Sequence, residues 1–385
     1  MISPAERISN VKEYYFSVKL KEIAKMRSEG TDILNLGIGN PDLPPSDATI
    51  ETLHKASSKD GDHGYQSYNG IPELRKAFAE WYKKWYGVTL DPNSEILPLI
   101  GSKEGITHIS LAFLNPGDEV LVPDPGYPTY SSVSELVGAK IRTYDLKEER
   151  GWFPDLDQLE TEGVEKVKIM WINYPNMPTG TPATKKLFED IVAFAKCNDI
   201  LVVNDNPYSF ILNDNPMSIM EIDGARDVCI ELNSMSKSHN MAGWRVGMAA
   251  ANATLISYII RVKSNVDSGM YKPLQLAAAE ALKAPKEWYD SNNSAYEVRK
   301  KLAYAIMDRL ECTYDEKQTG MFIWAKIPDH IECVADFADS ILMKAHVFIT
   351  PGFIFGENGK RYIRISLCSS ETMLKEALRR IDKNM

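Results

Sequence analysis

Asn233-Ser-Met-Ser-Lys-Ser-His-Asn-Met-Ala-Gly-Trp-Arg-Val-Gly247 is the stretch on which the reading of this chain turns. It follows Val228–Leu232, a stretch apolar except for Glu231, which is expected to form a buried strand. Ser234 and Ser236 lead to a single lysine, Lys237, and Arg245 follows between Gly243 and Gly247. A lysine amine can form a Schiff base with an aldehyde. Serine hydroxyls and an arginine can hold a phosphate, because the planar guanidinium bonds its oxygens in pairs. The stretch therefore suits a phosphorylated aldehyde. The plain alternative is a solvated lysine, as most lysines are, and more distant stretches decide between the two.

At 385 residues the chain exceeds what one core usually serves, so two domains are expected. Apolar content of 44% and charged content of 25% are those of a soluble globular protein. A net charge of -9 argues against a nucleic-acid surface. Cys197, Cys229, Cys312, Cys333 and Cys368 are scattered, with no C-x-x-C, so neither a disulfide framework nor a zinc site is expected. The six histidines show no metal-ligand spacing, and no metal is expected. The first residues show no apolar signal region and no run is long enough to span a membrane, which makes the cytoplasm the expected compartment.

Taken in order, Tyr14, Tyr15 and Phe16 open a charged helical pattern through Lys25. A short strand from Ile33 breaks into Gly37, Gly39 and Pro41, where the glycines can be turn residues. Tyr65 lies in a polar stretch that ends at Gly70, and on the plain reading is a buried tyrosine. Pro72 fits the first turn of a helix on which Leu74, Phe78, Trp81, Tyr82 and Trp85 recur at helical spacing. Leu97–Ile100 reads as a strand that enters Gly101-Ser-Lys-Glu-Gly105 and then a helix to Leu114. Such a turn aims free N–H groups at an anion. Glu119–Val122 is the next strand, followed by a proline-rich stretch with Tyr127.

Val167–Ile172, a helix near Lys185–Cys197 and a strand Ile200–Val203 form a βαβ crossover, hence parallel pairing. Catalytic groups in such sheets sit beyond the carboxyl ends of the strands. Asn173 and Asp205 stand there, with Tyr208 three residues past Asp205; a capping aspartate is the plain alternative. Ala277–Leu282 reads as helix, Pro285 as a boundary, and Lys286–Leu310 as a long helix. A strand Met321–Ile327, a helix Asp336–Ala345 and a strand Arg361–Leu367 follow. Arg364 lies inside an apolar stretch of that last strand and needs a partner.

The pattern S-x-S-K-S followed by G-x-R-x-G resembles the cofactor-lysine segment of the class I/II pyridoxal-phosphate aminotransferases. The likeness runs from about Gly37 to Ser366 in six separated motifs, in the family's order. It implies an α/β protein of fold type I, with a mostly parallel seven-stranded sheet in a large domain and a smaller α+β domain. The boundaries it implies are an N-terminal arm and part of the small domain over 1–45, a cofactor domain over 46–285 and the C-terminal small domain over 286–385. By the same resemblance, pyridoxal 5'-phosphate is bound through a Schiff base to Lys237. Ser102, Lys103, Ser234, Ser236 and Arg245 hold its phosphate, and Tyr127 stacks on its ring. Asp205 keeps the ring nitrogen protonated, Tyr208 donates to its phenolic oxygen, and Asn173 is a further cofactor-binding residue. Gly39 and Arg364 face the substrate, Arg364 gripping the α-carboxylate, and the arm bearing Tyr15 lies over the site. Tyr65 reaches the partner's phosphate across a homodimer interface. The implied activity is ping-pong exchange of an amino group between an amino acid and a 2-oxo acid. Two departures stand out: Pro207, where many relatives have a branched residue, and Met177, where most have asparagine. A thioether has no proton to give, so Tyr208 becomes the main donor to the phenolic oxygen unless Asn173 or Asn176 reaches it.

Other classes fit less well. Ser234-Met-Ser-Lys237 also satisfies the S-x-x-K of serine acylases, but Ser67-Tyr-Asn69 lies upstream of it and the nearest K-T-G candidate is interrupted as Lys317-Gln-Thr-Gly320. Ile354 occupies the first glycine position of a nucleotide phosphate loop ending at Gly359-Lys360, and Gly37-Ile-Gly39 lacks the third glycine of a dinucleotide fingerprint. A non-catalytic regulator on the same fold would need a basic DNA-binding extension. Lyases and decarboxylases share Lys237, Asp205 and Tyr208, and Arg364 favours transfer over them because a gripped carboxylate is not readily lost.

Overall fold

Along the strand Val167–Ile172, Ile169 and Trp171 point to one side and Met170 and Ile172 to the other, and all four are buried. A strand apolar on both faces needs cover on both, which is why parallel sheets carry helices front and back. A computed structural model, which describes residues 2–8 and 15–385, shows that arrangement. Seven strands lie in the order Ile96–Leu99, Gly247–Ala250, Cys229–Ser234, Leu201–Asp205, Val167–Ile172, Glu119–Asp124, Lys140–Asp145. Neighbours are parallel except at Gly247–Ala250, which runs antiparallel to both of its partners. On one face Trp171, Val203 and Leu232 pack against the helices Ser102–Phe113 and Ala253–Lys263 through Ile106, Ile109 and Ile259. On the other, Met170, Ile172 and Val202 meet Phe78 and Trp81 of the helix Pro72–Tyr86 and Phe188 and Ile191 of the helix Lys185–Cys197.

Two of these strands are not expected from sequence pattern. Lys140–Asp145 is an edge strand with exposed charged residues, so it carries no apolar run. Gly247–Ala250 is only four residues long and has no β-branched or aromatic side chain, and its leading glycine is required: a Cβ there would lie 2.7 Å from the Asn233 carbonyl oxygen. Helices over Thr129–Leu136 and Glu371–Asn384 are likewise additional to the sequence reading.

A second, antiparallel sheet is built from Thr350–Pro351, Tyr362–Ser366, Phe322–Lys326 and Thr313–Tyr314. Its core includes Tyr296 and Ile306 of the helix Lys286–Arg309, Ile341 of Val334–Ala345 and Leu374 of Glu371–Asn384. The segment near the N-terminus joins this part of the molecule: Leu34–Asn35 pairs in parallel with Val347–Phe348, and Arg299 bonds Asp42 at 2.7 Å. The carboxyl ends of Val167–Ile172, Leu201–Asp205 and Cys229–Ser234 lie side by side at one edge of the large sheet. They bring Asn173, Asp205 and Ser234 together where the two sheets meet. No described helix is long and apolar enough to cross a membrane.

Candidate active site

At this edge lies a cavity of about 590 Å³. One end is built around Arg245. The strand Cys229–Ser234 ends at Ser234, whose hydroxyl accepts from the Ser236 N–H and donates to the Ser236 hydroxyl at 2.9 Å. Arg245 has φ 58°, a left-handed conformation that a long side chain adopts only when its surroundings enforce it. Its guanidinium donates to the Ala242 carbonyl at 3.0 Å and the Ser236 hydroxyl at 3.4 Å. A Cβ on Gly101 would lie 2.2 Å from Arg245 Nη2, so the glycine makes room for the arginine. The helix Ser102–Phe113 starts next to it and aims its first N–H groups the same way. Two hydroxyls, one guanidinium and one helix start suit a phosphate, and Ser102, Lys103, Ser234, Ser236 and Arg245 all line the cavity as expected.

That helix start is anchored by buried charge. Glu104 accepts from the Ile100 N–H and lies 3.0 Å from His108 and 3.5 Å from Lys263, which also pairs with Asp267. Burial alone would raise the Glu104 carboxyl, but His108 and the Lys263 ammonium outweigh it and hold it at about 2. Glu104, His108 and Asp267 are close enough to share a metal ion, their ligand atoms lying within 4.8 Å of one another. The linear reading of the histidines passes over this helical pair four residues apart. Lys263 already supplies the cation among them.

At the middle of the cavity, Asp205 is the last residue of its strand rather than a residue beyond it, and is 6% exposed. One carboxylate oxygen accepts from the Tyr130 hydroxyl at 3.0 Å. The other, Oδ1, is buried with no hydrogen-bond partner among the described residues. Burial pushes this carboxyl up to about 6, against the pull of the Tyr130 and Ser102 hydroxyls and the Lys237 amine. Tyr130 is itself fixed by parallel stacking on Trp171, centroids 5.1 Å apart. An orphaned carboxylate oxygen facing a cavity calls for a cationic N–H, and the pyridine nitrogen of pyridoxal phosphate is such a group. Tyr127 and Tyr208 line the same space. Lys237 donates to the Gly39 carbonyl, and burial, with Arg364 and Arg245 nearby, holds its amine below the ordinary lysine value. The residues present therefore fit the cofactor.

The far wall is formed by Arg364, 4% exposed in the middle of its strand. It donates to the Gly37 carbonyl at 2.8 Å and to the Met177 sulfur at 3.1 Å. Its guanidinium lies 3.9 Å from the Phe322 ring centre, 4.6 Å from Phe355 and 5.7 Å from Phe16. Met177 thus contacts the arginine. Asn173 spans two backbone groups, donating to the Asp205 carbonyl and accepting from the Met177 N–H at 2.7 Å, while lining the cavity. Asn176 accepts from Thr179 and is not part of the cavity wall.

Three expectations change in detail. Gly39 lines the cavity, but a Cβ there would meet the Phe322 ring at 2.3 Å, so that ring, besides any ligand, demands the glycine. Tyr15 does not line the cavity: its ring packs edge-on against Phe353 at 5.3 Å, and Phe16, Ser17 and Leu20 of the helix Tyr15–Ser28 face inward instead. Tyr14 lies outside the described residues. Tyr65 is 92% exposed, so within this chain it is neither a core tyrosine nor part of the cavity. Sequence reasoning missed Phe16, Phe322, Phe355 and Tyr130, because an aromatic residue in a strand or helix carries no mark that separates a cavity wall from a core.

A phosphate cradle, a half-buried lysine and a buried carboxylate at a parallel-sheet edge define a phosphorylated-cofactor enzyme. The chain belongs to the class I and II aminotransferases, whose family profile matches residues 31–381. It is 40% identical over 379 residues to an LL-diaminopimelate aminotransferase of Dehalococcoides mccartyi, covering 98% of this chain and 97% of that one. An enzyme of the same name from Aquifex aeolicus is 40% identical over 387 residues, with both chains fully covered. Among solved structures, apo-BacF from Bacillus subtilis superposes with a TM-score of 0.96 at 37% identity, over 100% of this chain and 99% of that one. A single mutant of Thermus thermophilus aspartate aminotransferase does so with a TM-score of 0.92 at 25% identity over the full length of both. The protein is a transferase, and its family and fold imply pyridoxal phosphate.

Proposed function

We propose that the chain exchanges an amino group between an amino acid and a 2-oxo acid with pyridoxal phosphate held on Lys237. The observation that carries this reading is the placement of Lys237 in one cavity with Asp205, the Arg245 cradle and Arg364. Pyridoxal phosphate, when bound, draws electrons away from the substrate's Cα and so eases loss of its proton. The chain does the rest. Arg364 receives the α-carboxylate through its planar guanidinium, and the surrounding phenyl rings keep water off that pair. Lys237, with its amine lowered by burial, would take the proton from Cα and carry it past the substrate nitrogen. Asp205 Oδ1 would hold a protonated ring nitrogen, and the Tyr208 hydroxyl would serve the phenolic side of the ring. The exposure of Tyr65 supports a homodimer in which that tyrosine reaches the neighbouring site. The two sheets support a division into a cofactor domain over 46–285 and a small domain over 286–385 joined by the N-terminal segment.

Borohydride treatment of the cofactor-loaded protein should fix the cofactor on the one peptide containing Lys237, read by mass spectrometry; attachment to another lysine would refute the proposal. Arg364→Lys keeps the charge and loses the fork. It should cost roughly 2–5 kcal/mol in kcat/KM, the scale of a buried hydrogen-bonded charge pair. Amines without a carboxylate should be affected little. Equal damage to both substrate types would make Arg364 structural.

A further inference from the structure

We infer that the amino acid served by this site carries a large, uncharged, apolar side chain. The inference rests on the proposed aminotransfer and concerns the part of the cavity left once Arg364 and Asp205 have their partners. That part is walled by Phe16, Ser17 and Leu20 of the first helix, Ile38 of the loop between Gly37 and Gly39, and the rings of Phe322 and Phe355, with the uncharged Ser17 hydroxyl the one polar side chain among them. Ile38 is 36% exposed, an apolar side chain open at the cavity between two glycines whose own Cβ positions are blocked by Phe348 and Phe322.

Charge in the cavity is already assigned. Asp205 is the one carboxylate among the described lining residues, and its free oxygen is placed for the cofactor ring. Arg245 and the helix start that carries Lys103 belong to the phosphate end, Lys237 to the proton transfer and Arg364 to the α-carboxylate. A diaminopimelate substrate would bring a second ammonium and a second carboxylate, and aspartate a second carboxylate, against phenyl, leucine and isoleucine side chains. A charge buried there without a partner is strongly disfavoured, whereas an apolar side chain gains by leaving water. Phenylalanine, leucine and methionine match the wall.

The test uses the cofactor-loaded protein and single amino donors, following the change in its visible absorption, so that no acceptor is needed. Phenylalanine, leucine or methionine should react with a kcat/KM at least about tenfold above LL-diaminopimelate and aspartate, the scale on which apolar pockets discriminate. Preference for either charged donor would overturn the inference and place a charged group from outside the described residues of this chain in the cavity. A loaded protein that responds to no donor at all would instead refute the aminotransfer reading. Ile38→Arg, at a position open enough to leave folding intact, should lower the value for phenylalanine and raise it for aspartate. If both donors are unchanged by Ile38→Arg, the side chain does not pass this wall and the inference fails.

Discussion

Lys237→Ala is expected to keep the cofactor and lose turnover by on the order of 10⁴-fold or more, the upper end of what one acid–base group contributes. Retention follows from the geometry, because the phosphate end is assembled without the lysine: Ser234, Ser236, Arg245 and the start of the helix Ser102–Phe113 all remain. Stability should not fall. The amine is buried and held below its ordinary pKa, so the fold gains little from its charge, and the side chain borders a cavity rather than a packed core. Steady-state kinetics, cofactor content by absorption and the melting temperature of the apoprotein separate the outcomes. A large drop in melting temperature with the same loss of activity would make Lys237 a structural residue. Undiminished turnover would remove it from the chemistry.

Much of this site is legible in the sequence where chain direction and chemistry coincide. Strand ends give Asp205 and Asn173, a glycine-marked helix start gives Ser102 and Lys103, and one serine-rich turn gives Lys237 and Arg245. What was not legible depends on contacts between distant segments. Phe16, Phe322 and Phe355 come from a helix, a strand and a short turn of the second sheet's surroundings, and converge only because Arg364 lies between them. Tyr130 reads as an ordinary aromatic until the fold sets its hydroxyl 3.0 Å from Asp205. The substitution of methionine at 177 marks a departure from resemblance, but only the structure shows its sulfur 3.1 Å from Arg364. Tyr15 was misplaced by one residue because helical phase decides which side chain faces the cavity, and the pattern over that charged stretch is too weak to fix the phase. The strand Gly247–Ala250 illustrates the reverse problem, since four residues without a β-branched or aromatic side chain give little strand signal, while the close approach of Asn233 requires the glycine at 247.

Asp205→Asn should lower kcat/KM about 10²–10³-fold, the cost of removing one preorganised electrostatic partner, and should also flatten the pH dependence of cofactor binding. Asp205 is pushed up to about 6 by burial. A raised carboxyl pKa means that the folded chain holds a proton that the unfolded chain releases at lower pH. The protonated group therefore favours the fold at low pH, and that contribution is lost as the pH rises through about 6. A protonated ring nitrogen at Oδ1 offsets the loss by pairing with the buried anion. Cofactor affinity in the wild type should consequently rise as the pH passes upward through this range, since only the ionised carboxylate can pair. Asparagine does not titrate, so this component disappears. The cofactor's phosphate titrates in the same region, and the difference between the two proteins, rather than either profile alone, isolates the carboxylate. The apoprotein tests the sign independently. Above pH 7 the Asn variant buries no charge and should melt no lower than the wild type. Dissociation constants measured by absorption from pH 5 to 8 decide the matter. Parallel profiles for the two proteins would mean that Asp205 does not face the ring nitrogen, and the orphaned Oδ1 would then have to be satisfied by something other than the cofactor.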